Sequence, residues 1–393
     1  MQDLGYNLRR CDGRGRMRIG INAHLLSGQA GYRRAGIHQY IRQLLEHLCP
    51  PPGSEDSLMV FTGRNAPPLR NPHLHVQTTR WPTDRRLVRI AWEQMIWPTA
   101  AAFHHLHLLH SLAFVTPILT TRPTIVTVYD LSFIHVPERF PVLQRWYLTT
   151  QARRSCQKAR RVVTISASGR QDVHHFFGIP LEQIDVVYPG VDERFNVQPE
   201  TLIAGFRQQE NLPPRFILHV GTLQPRKNLP FLLDTFAQLR QDPAFADVVL
   251  VLAGGKGWFY EEIFARVQAL GLTDWVRFPG YVPDEQLAQW YAAAACLVFP
   301  SAYEGFGLPI IEAMACGTPV IAANTSSIPE AVGDAGLLYA VDDAAALLAH
   351  LRTILQQPGL AYQLRHKGLH QARRFSWSAS AQAMMQVYAK AMR

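Results

Sequence analysis

Pro300-Ser301-Ala302-Tyr303-Glu304-Gly305-Phe306-Gly307-Leu308-Pro309-Ile310-Ile311-Glu312-Ala313-Met314-Ala315-Cys316-Gly317-Thr318-Pro319-Val320 follows Cys296–Phe299, an apolar run with the length of a buried strand. Leu308 to Ala315 has a helical pattern, and Gly305 and Gly307 stand in the loop before it. Glycines there let the backbone approach a ligand, while the start of the helix turns unpaired N–H groups outward at its positive end. Phosphate or sugar oxygens suit such a place. Glu304 falls in the loop and Glu312 about one turn inside the helix, so one carboxylate can hold sugar hydroxyls and the other a ribose. A solvated loop residue and a surface helix residue would give the same spacing. The neighbours of Glu312 (Ile310, Ile311, Ala313, Met314, Ala315) are all apolar, however, which makes it a charge on a buried helix in need of a specific partner.

On either side of this unit the same alternation continues. Strands are predicted at Phe216–Val220, Val248–Ala253, Val276–Pro279, Pro319–Ala322 and Leu337–Tyr339, and helices at Leu229–Arg240, Tyr260–Leu270, Asp284–Ala294 and Asp343–Leu355. At the end of the first of these strands stands Gly221-Thr222-Leu223-Gln224-Pro225-Arg226-Lys227-Asn228. Arg226 offers a forked donor set and Lys227 a point charge to a diphosphate. A helix start disfavours cations, so an exposed basic pair without an anion would be unfavourable there.

Towards the N-terminus a polar, proline-bearing stretch from Gly190 to Pro214, with a small helix inside it, suits a connection between domains. Before it lies a second alternating series. Arg18–Ala23 reads as a strand and opens through a Gly-rich loop (Ser27–Gly31, Ala35-Gly36) onto an amphipathic helix, Ile37–Leu48. Further strands are predicted at Ser57–Thr62, Leu74–Thr78, Leu106–His110, Thr124–Tyr129 and Arg161–Ile165, with helices at Arg85–Trp97, Pro141–Lys158 and Ser166–Phe177. Residues 1–17 read as an unstructured leader. The fold class is therefore α/β, with two Rossmann-like doubly wound domains, whose ligands bind outside the carboxyl ends of the strands.

The 393 residues, 48% of them hydrophobic, allow two cores, and the net charge of +9 fits any anionic partner. The basic residues are dispersed rather than gathered on a recognition helix, so no nucleic acid partner is expected. Five scattered cysteines without CxxC spacing point to neither disulfides nor zinc, and hence to the cytoplasm. No apolar run is long enough to span a bilayer, which leaves only peripheral membrane contact. His104-His105-Leu106-His107-Leu108-Leu109-His110 invites a metal reading, but no Cys or carboxylate accompanies it and no Asp-x-Asp pattern occurs.

The EGFGLPIIEAMACGTPVIA stretch carrying Glu304 and Glu312, GTLQPRKN, and the closing Phe375-Ser376-Trp377 together resemble glycosyltransferase family 4, retaining enzymes with the GT-B fold. The likeness runs from about Arg18 onward and is densest over residues 215–340 and 375–390. Trp92-Glu93-Gln94 and Tyr129-Asp130-Leu131-Ser132-Phe133 are similar to bacterial mannosyltransferase-like members that build surface polysaccharides. The resemblance implies an acceptor-side domain over residues 18–195, a nucleotide-sugar domain over 196–375, and a closing helix, 376–393, crossing back to the first domain. It implies a nucleotide-sugar donor, GDP-mannose first among the choices, a saccharide or lipid-linked acceptor, and no cofactor or metal. Arg226 and Lys227 would hold the diphosphate, Glu304 the transferred sugar, Glu312 the ribose, and the backbone of Gly305, Phe306, Gly307 and Leu308 the sugar and phosphate. Thr222 and Gly36 would line the site, and Asp130 would orient the acceptor. Many relatives carry His-Asp where this chain has Tyr129-Asp130, so the missing contact falls to the Tyr129 hydroxyl or to His110. An epimerase or hydrolase on the same fold, and a non-catalytic sugar-nucleotide binder, are the rival readings.

Overall fold

The computed structural model describes residues 17–26, 36–137 and 142–393. The expected leader up to residue 16 and the loop segment 27–35 lie outside the described residues. Strands β1 (Arg18–Asn22), β2 (Ser57–Thr62), β3 (Leu74–Thr78), β4 (Leu108–Ser111), β5 (Thr124–Val128), β6 (Arg161–Thr164) and β7 (Ile184–Val186) form one sheet. Its order is β3-β2-β1-β4-β5-β6-β7, and each pairing is parallel. A second parallel sheet, in the order β10-β9-β8-β11-β12-β13, takes β8 (Phe216–Val220), β9 (Val249–Ala253), β10 (Val276–Gly280), β11 (Cys296–Phe299), β12 (Val320–Ala323) and β13 (Leu337–Tyr339).

Parallel strands need crossovers, and here these are mostly helical. In the first half they are α1 (Ile37–His47), α2 (Arg86–Ala91), a π-helical turn (Trp92–Ile96), α3 (Trp97–Phe103), α4 (Ser132–His135), α5 (Val142–Lys158) and α6 (Ala167–Phe177). The connection holds α7 (Glu200–Gln209). The second half adds α8 (Leu229–Arg240), α9 (Glu261–Ala269), α10 (Asp284–Ala293), α11 (Leu308–Ala315), α12 (Ile328–Val332), α13 (Ala344–Gln356), α14 (Pro358–Ala372) and α15 (Trp377–Ala391). The central strands are buried on both faces: Ile19, Ile21, Ile217, Leu218, Leu297 and Val298 are inaccessible, as sheets covered on both sides require.

Several structural features went unread in the sequence, among them the short helices α4 and α12. β7 adds a seventh strand to the first sheet, and α14 packs against α11 behind the second. The stretch expected as one helix, Arg85–Trp97, is α2 continuing through the π-helical turn into α3. The chain passes between the halves twice, side by side: the Val191 N–H donates to the Phe375 carbonyl at 3.1 Å. Beyond that crossing α15 lies against α1, with Trp377 edge-on to Tyr40 and the Ser380 hydroxyl bonded to the Tyr188 carbonyl at 2.5 Å.

Candidate active site

The carboxyl ends of the two sheets face each other across a cleft of about 420 Å³. One wall comes from the loop after β8 and the β11–α11 loop, the other from the loop after β5 and the start of α1. At the first of these, Arg226 and Lys227 end a short turn, and both side chains reach the same carboxylate. Lys227 Nζ stands 2.6 Å from Glu304 Oε1 and Arg226 Nη1 2.5 Å from Glu304 Oε2. The ammonium also sits 4.9 Å from the centre of the Phe299 ring, and Arg226 donates to the Tyr303 carbonyl at 2.7 Å. Burial would raise the Glu304 carboxyl, but the two cations outweigh it and hold its pKa at about 2. Two positive charges against one negative leave this wall electropositive. Each carboxylate oxygen keeps a lone pair for a sugar hydroxyl.

The backbone of Glu304 is fixed by the loop after β12, whose Ser326 hydroxyl accepts its N–H at 3.0 Å while Ser327 donates to its carbonyl at 2.9 Å. Next along, Gly307 adopts φ 103°, which a side chain would strain, and turns the chain into α11 with no side-chain cap. Pro309, lacking an N–H, fits the first turn. The backbone of Gly305, Phe306, Gly307 and Leu308 thus borders the cleft at an uncapped helix start. Glu312, on the same helix, accepts a 2.9 Å hydrogen bond from the Tyr291 hydroxyl. Burial pushes its pKa up to about 7, the Tyr291 bond opposing in part. At neutral pH it can either accept from or donate to a hydroxyl.

Thr222 lines the cleft on this side, and Gly36, at the uncapped start of α1, on the other. Asp130 faces Arg226 and influences it electrostatically, while its Oδ1 accepts the Ser132 N–H at 2.9 Å. The structure corrects the remaining two expectations. His110 does not reach the cleft: it is wholly buried, Nδ1 bonded to the Tyr388 hydroxyl at 2.9 Å and Nε2 to Thr127 at 2.8 Å. It lies within β4, one residue short of the strand's end, and points into the core beneath α15. Burial drives its pKa to about 3, so it stays neutral. Tyr129 does line the cleft, but its hydroxyl turns inward and donates to the Leu112 carbonyl at 2.7 Å, leaving backbone on the cleft side.

Other contributors were missed. Arg194, from the connection, lines the cleft near Glu312 and pairs with Asp192 at 2.6 Å. The Tyr303 hydroxyl crosses between the halves to Asp172 at 2.8 Å and accepts the Leu131 N–H at 3.2 Å. Arg194 lay in a stretch read as linker, and a tyrosine next to a glutamate gives no sign of which half it will touch. Among the described residues, no three His, Cys, Asp or Glu side chains converge as a metal cage.

Known proteins match this chain along most of its length. Residues 34–195 fit the family described as Glycosyltransferase Family 4, and residues 204–373 fit Glycosyl transferases group 1. O-antigen chain mannosyltransferase B of Escherichia coli is 33% identical over 272 residues, covering 69% of this chain and 71% of that protein. D-inositol 3-phosphate glycosyltransferase of Streptomyces bingchenggensis is 38% identical over 246 residues, covering 60% of this chain and 54% of its own. The fold is shared with sucrose-phosphate synthase from Thermosynechococcus elongatus (TM-score 0.77, 24% identity, 95% of this chain and 98% of that one). It is shared too with Anabaena HepE in complex with UDP and glucose (TM-score 0.74, 22% identity, 95% and 99%). With two facing Rossmann-like halves and both family signatures in place, the chain belongs to the group 1 glycosyltransferases of family 4 and has their GT-B fold.

Proposed function

We propose that the protein transfers a hexose, mannose before others, from a nucleoside-diphosphate donor to a glycan or lipid-linked saccharide, with retention of anomeric configuration. The reaction would take place at the cytoplasmic face of a membrane, in surface polysaccharide synthesis. The observation that carries the reading is the joining of Arg226, Lys227 and Glu304 on one cleft wall, beside an uncapped helix start and opposite Asp130. The choice of mannose is supported by the Escherichia coli relative's name alone.

In this mechanism the two cations and the α11 amides receive the charge that grows on the leaving diphosphate, favouring the transition state over the bound donor. Glu304, held ionised, accepts hydroxyls of the sugar, and Glu312 the ribose. The bond from C1 to the diphosphate breaks as the acceptor oxygen bonds C1 on the same face, and the acceptor proton passes to a departing phosphate oxygen. Asp130 orients the acceptor. The charge of Arg226 and Lys227 takes the role that a divalent cation fills in other transferases, so the reaction should need no metal.

Lys227→Ala should reduce transfer by roughly 10²- to 10³-fold, the range for loss of one charge-stabilising donor. Full transfer in that variant would remove Lys227 from the mechanism. A panel of nucleotide sugars tested by thermal shift identifies the donor, which should stabilise the fold. Incubating that donor without acceptor then separates a transferase from a hydrolase or epimerase.

A further inference from the structure

The first domain carries apolar side chains on its outside, where a surface helix normally presents polar ones. Leu87 on α2, Met95 in the π-helical turn, Leu119 in the β4–β5 loop, and Val142, Leu143 and Trp146 on the first turns of α5 are between 64% (Trp146) and 84% (Leu119) exposed. Isolated exposed leucines mean little, but these stand on elements that touch. The Arg86 guanidinium of α2 lies 5.5 Å from the centre of the Tyr147 ring of α5. Gln94 of the π-helical turn bonds the loop at both the Thr116 carbonyl (3.2 Å) and the Ile118 N–H (2.9 Å). The loop in turn reaches α5, its Thr116 N–H donating to Ser155 at 3.0 Å and its Ile118 carbonyl accepting from Lys158. α5 buries Ala152, Ser155 and Cys156 inward, and among the described residues nothing covers Val142, Leu143 and Trp146.

Charge selects the occupant. Exposed Arg85, Arg86, Arg145, Arg153, Arg154 and Lys158 stand among and beside these side chains. From Arg85 to Arg161 the sequence has carboxylates only at Glu93, Asp130 and Glu138; Glu93 is buried and Asp130 lies in the cleft. The centre of a protein interface is depleted of charge, whereas apolar groups interleaved with arginine and lysine are the pattern of a surface that lies on anionic lipid. We propose that the face formed by α2, the π-helical turn, the β4–β5 loop and the start of α5 docks on an anionic bilayer, Trp146, Leu143 and Leu119 entering the headgroup region and the arginines meeting lipid phosphates. This deepens the peripheral location proposed above and rests on it, but it does not depend on which sugar is transferred.

The test is sedimentation of the full chain with vesicles of phosphatidylcholine alone or with phosphatidylglycerol added. The parent should partition at least tenfold more strongly onto the phosphatidylglycerol vesicles, and less so as salt rises. Leu143→Glu with Trp146→Glu, and separately Arg153→Glu with Arg154→Glu, should each lower that partition tenfold or more. Thermal stabilisation by the nucleotide-sugar donor should be unchanged in both, which shows that they fold and keeps a failure of docking apart from a failure of the donor site. Equal partition of the parent onto both vesicle types, or undiminished partition of both variants, would overturn the proposal. So would a concentration-dependent dimer of the parent that the Leu143→Glu, Trp146→Glu variant abolishes, since the face would then belong to a second copy.

Discussion

Glu312 and Glu304 are both buried carboxylates on one wall, yet their surroundings drive them in opposite directions. Glu304 meets two cations and stays ionised; Glu312 is pushed up to about 7 by burial, which the hydroxyl bond from Tyr291 only partly offsets. A carboxyl whose folded pKa lies above its unfolded value near 4.5 binds its proton more tightly in the folded state. Its contribution to stability is complete at low pH and is lost as pH rises through about 7. Glu312→Gln removes that dependence. Between pH 4.5 and 8 the stability of the variant relative to the parent should therefore climb by up to about 3 kcal/mol, as read from urea unfolding at each pH. A flat difference would show that Glu312 does not titrate there. The positions of Arg226, Lys227 and Glu304 on the cleft were legible because each falls in a loop just past an apolar run, and that of Glu312 because it is a lone charge on an apolar helix; their roles came from the family resemblance. His110 misled for a related reason. It also closes an apolar run, but β4 continues one residue further, and its side chain falls on the face that α15 covers, an element 278 residues away. Tyr388→Phe should leave the His110 Nδ1 unpaired and cost about 1–2 kcal/mol of stability with donor binding intact.

At the scale of elements, the β11–α11 unit does two jobs. Its glycines open a helix start to the cleft, and they allow the halves to meet. A Cβ on Gly305 would stand 2.6 Å from the Tyr129 carbonyl oxygen in the opposite half, closer than such atoms approach. Gly305→Ala should therefore hold the cleft partly open, lowering transfer at least tenfold while the thermal stability changes little. Unaltered activity would mean that this approach is not needed for turnover. The long apolar runs made most strands and helices readable. β7 was not, because three residues carry too little alternation. α14 buries only Leu364, Gly368, Gln371 and Ala372, a weak stripe in a polar segment. The π-helical turn has no sequence signature at all, since its extra residue per turn is imposed by packing.

Across the whole molecule, side chains from the second half hold the first in place. The Glu330 carboxylate accepts the N–H groups of Ala167 and Ser168, both at 2.7 Å, and the Tyr188 hydroxyl at 3.0 Å, so it closes the positive end of α6. Tyr303 with Asp172 and His135 makes a second such link, the tyrosine stacked on the imidazole at 4.4 Å. Such links between halves were beyond reach from the sequence, because they depend on how the two sheets are set against each other. Glu330→Ala should destabilise the protein by about 1–3 kcal/mol and raise its radius of gyration in X-ray scattering, as the halves separate. An unchanged radius would remove Glu330 as a tie between them.

The grip of Arg226 and Lys227 on a diphosphate underlies all of the proposed chemistry. Calorimetric titration in the presence of a chelator, with the preferred nucleoside diphosphate and with its bare nucleoside, measures that grip directly. Lys227→Ala should weaken the diphosphate at least about tenfold, the value of one charge-assisted contact, and leave the nucleoside unchanged. Equal diphosphate affinity in parent and variant, or binding by the parent only once a divalent cation is restored, would contradict it.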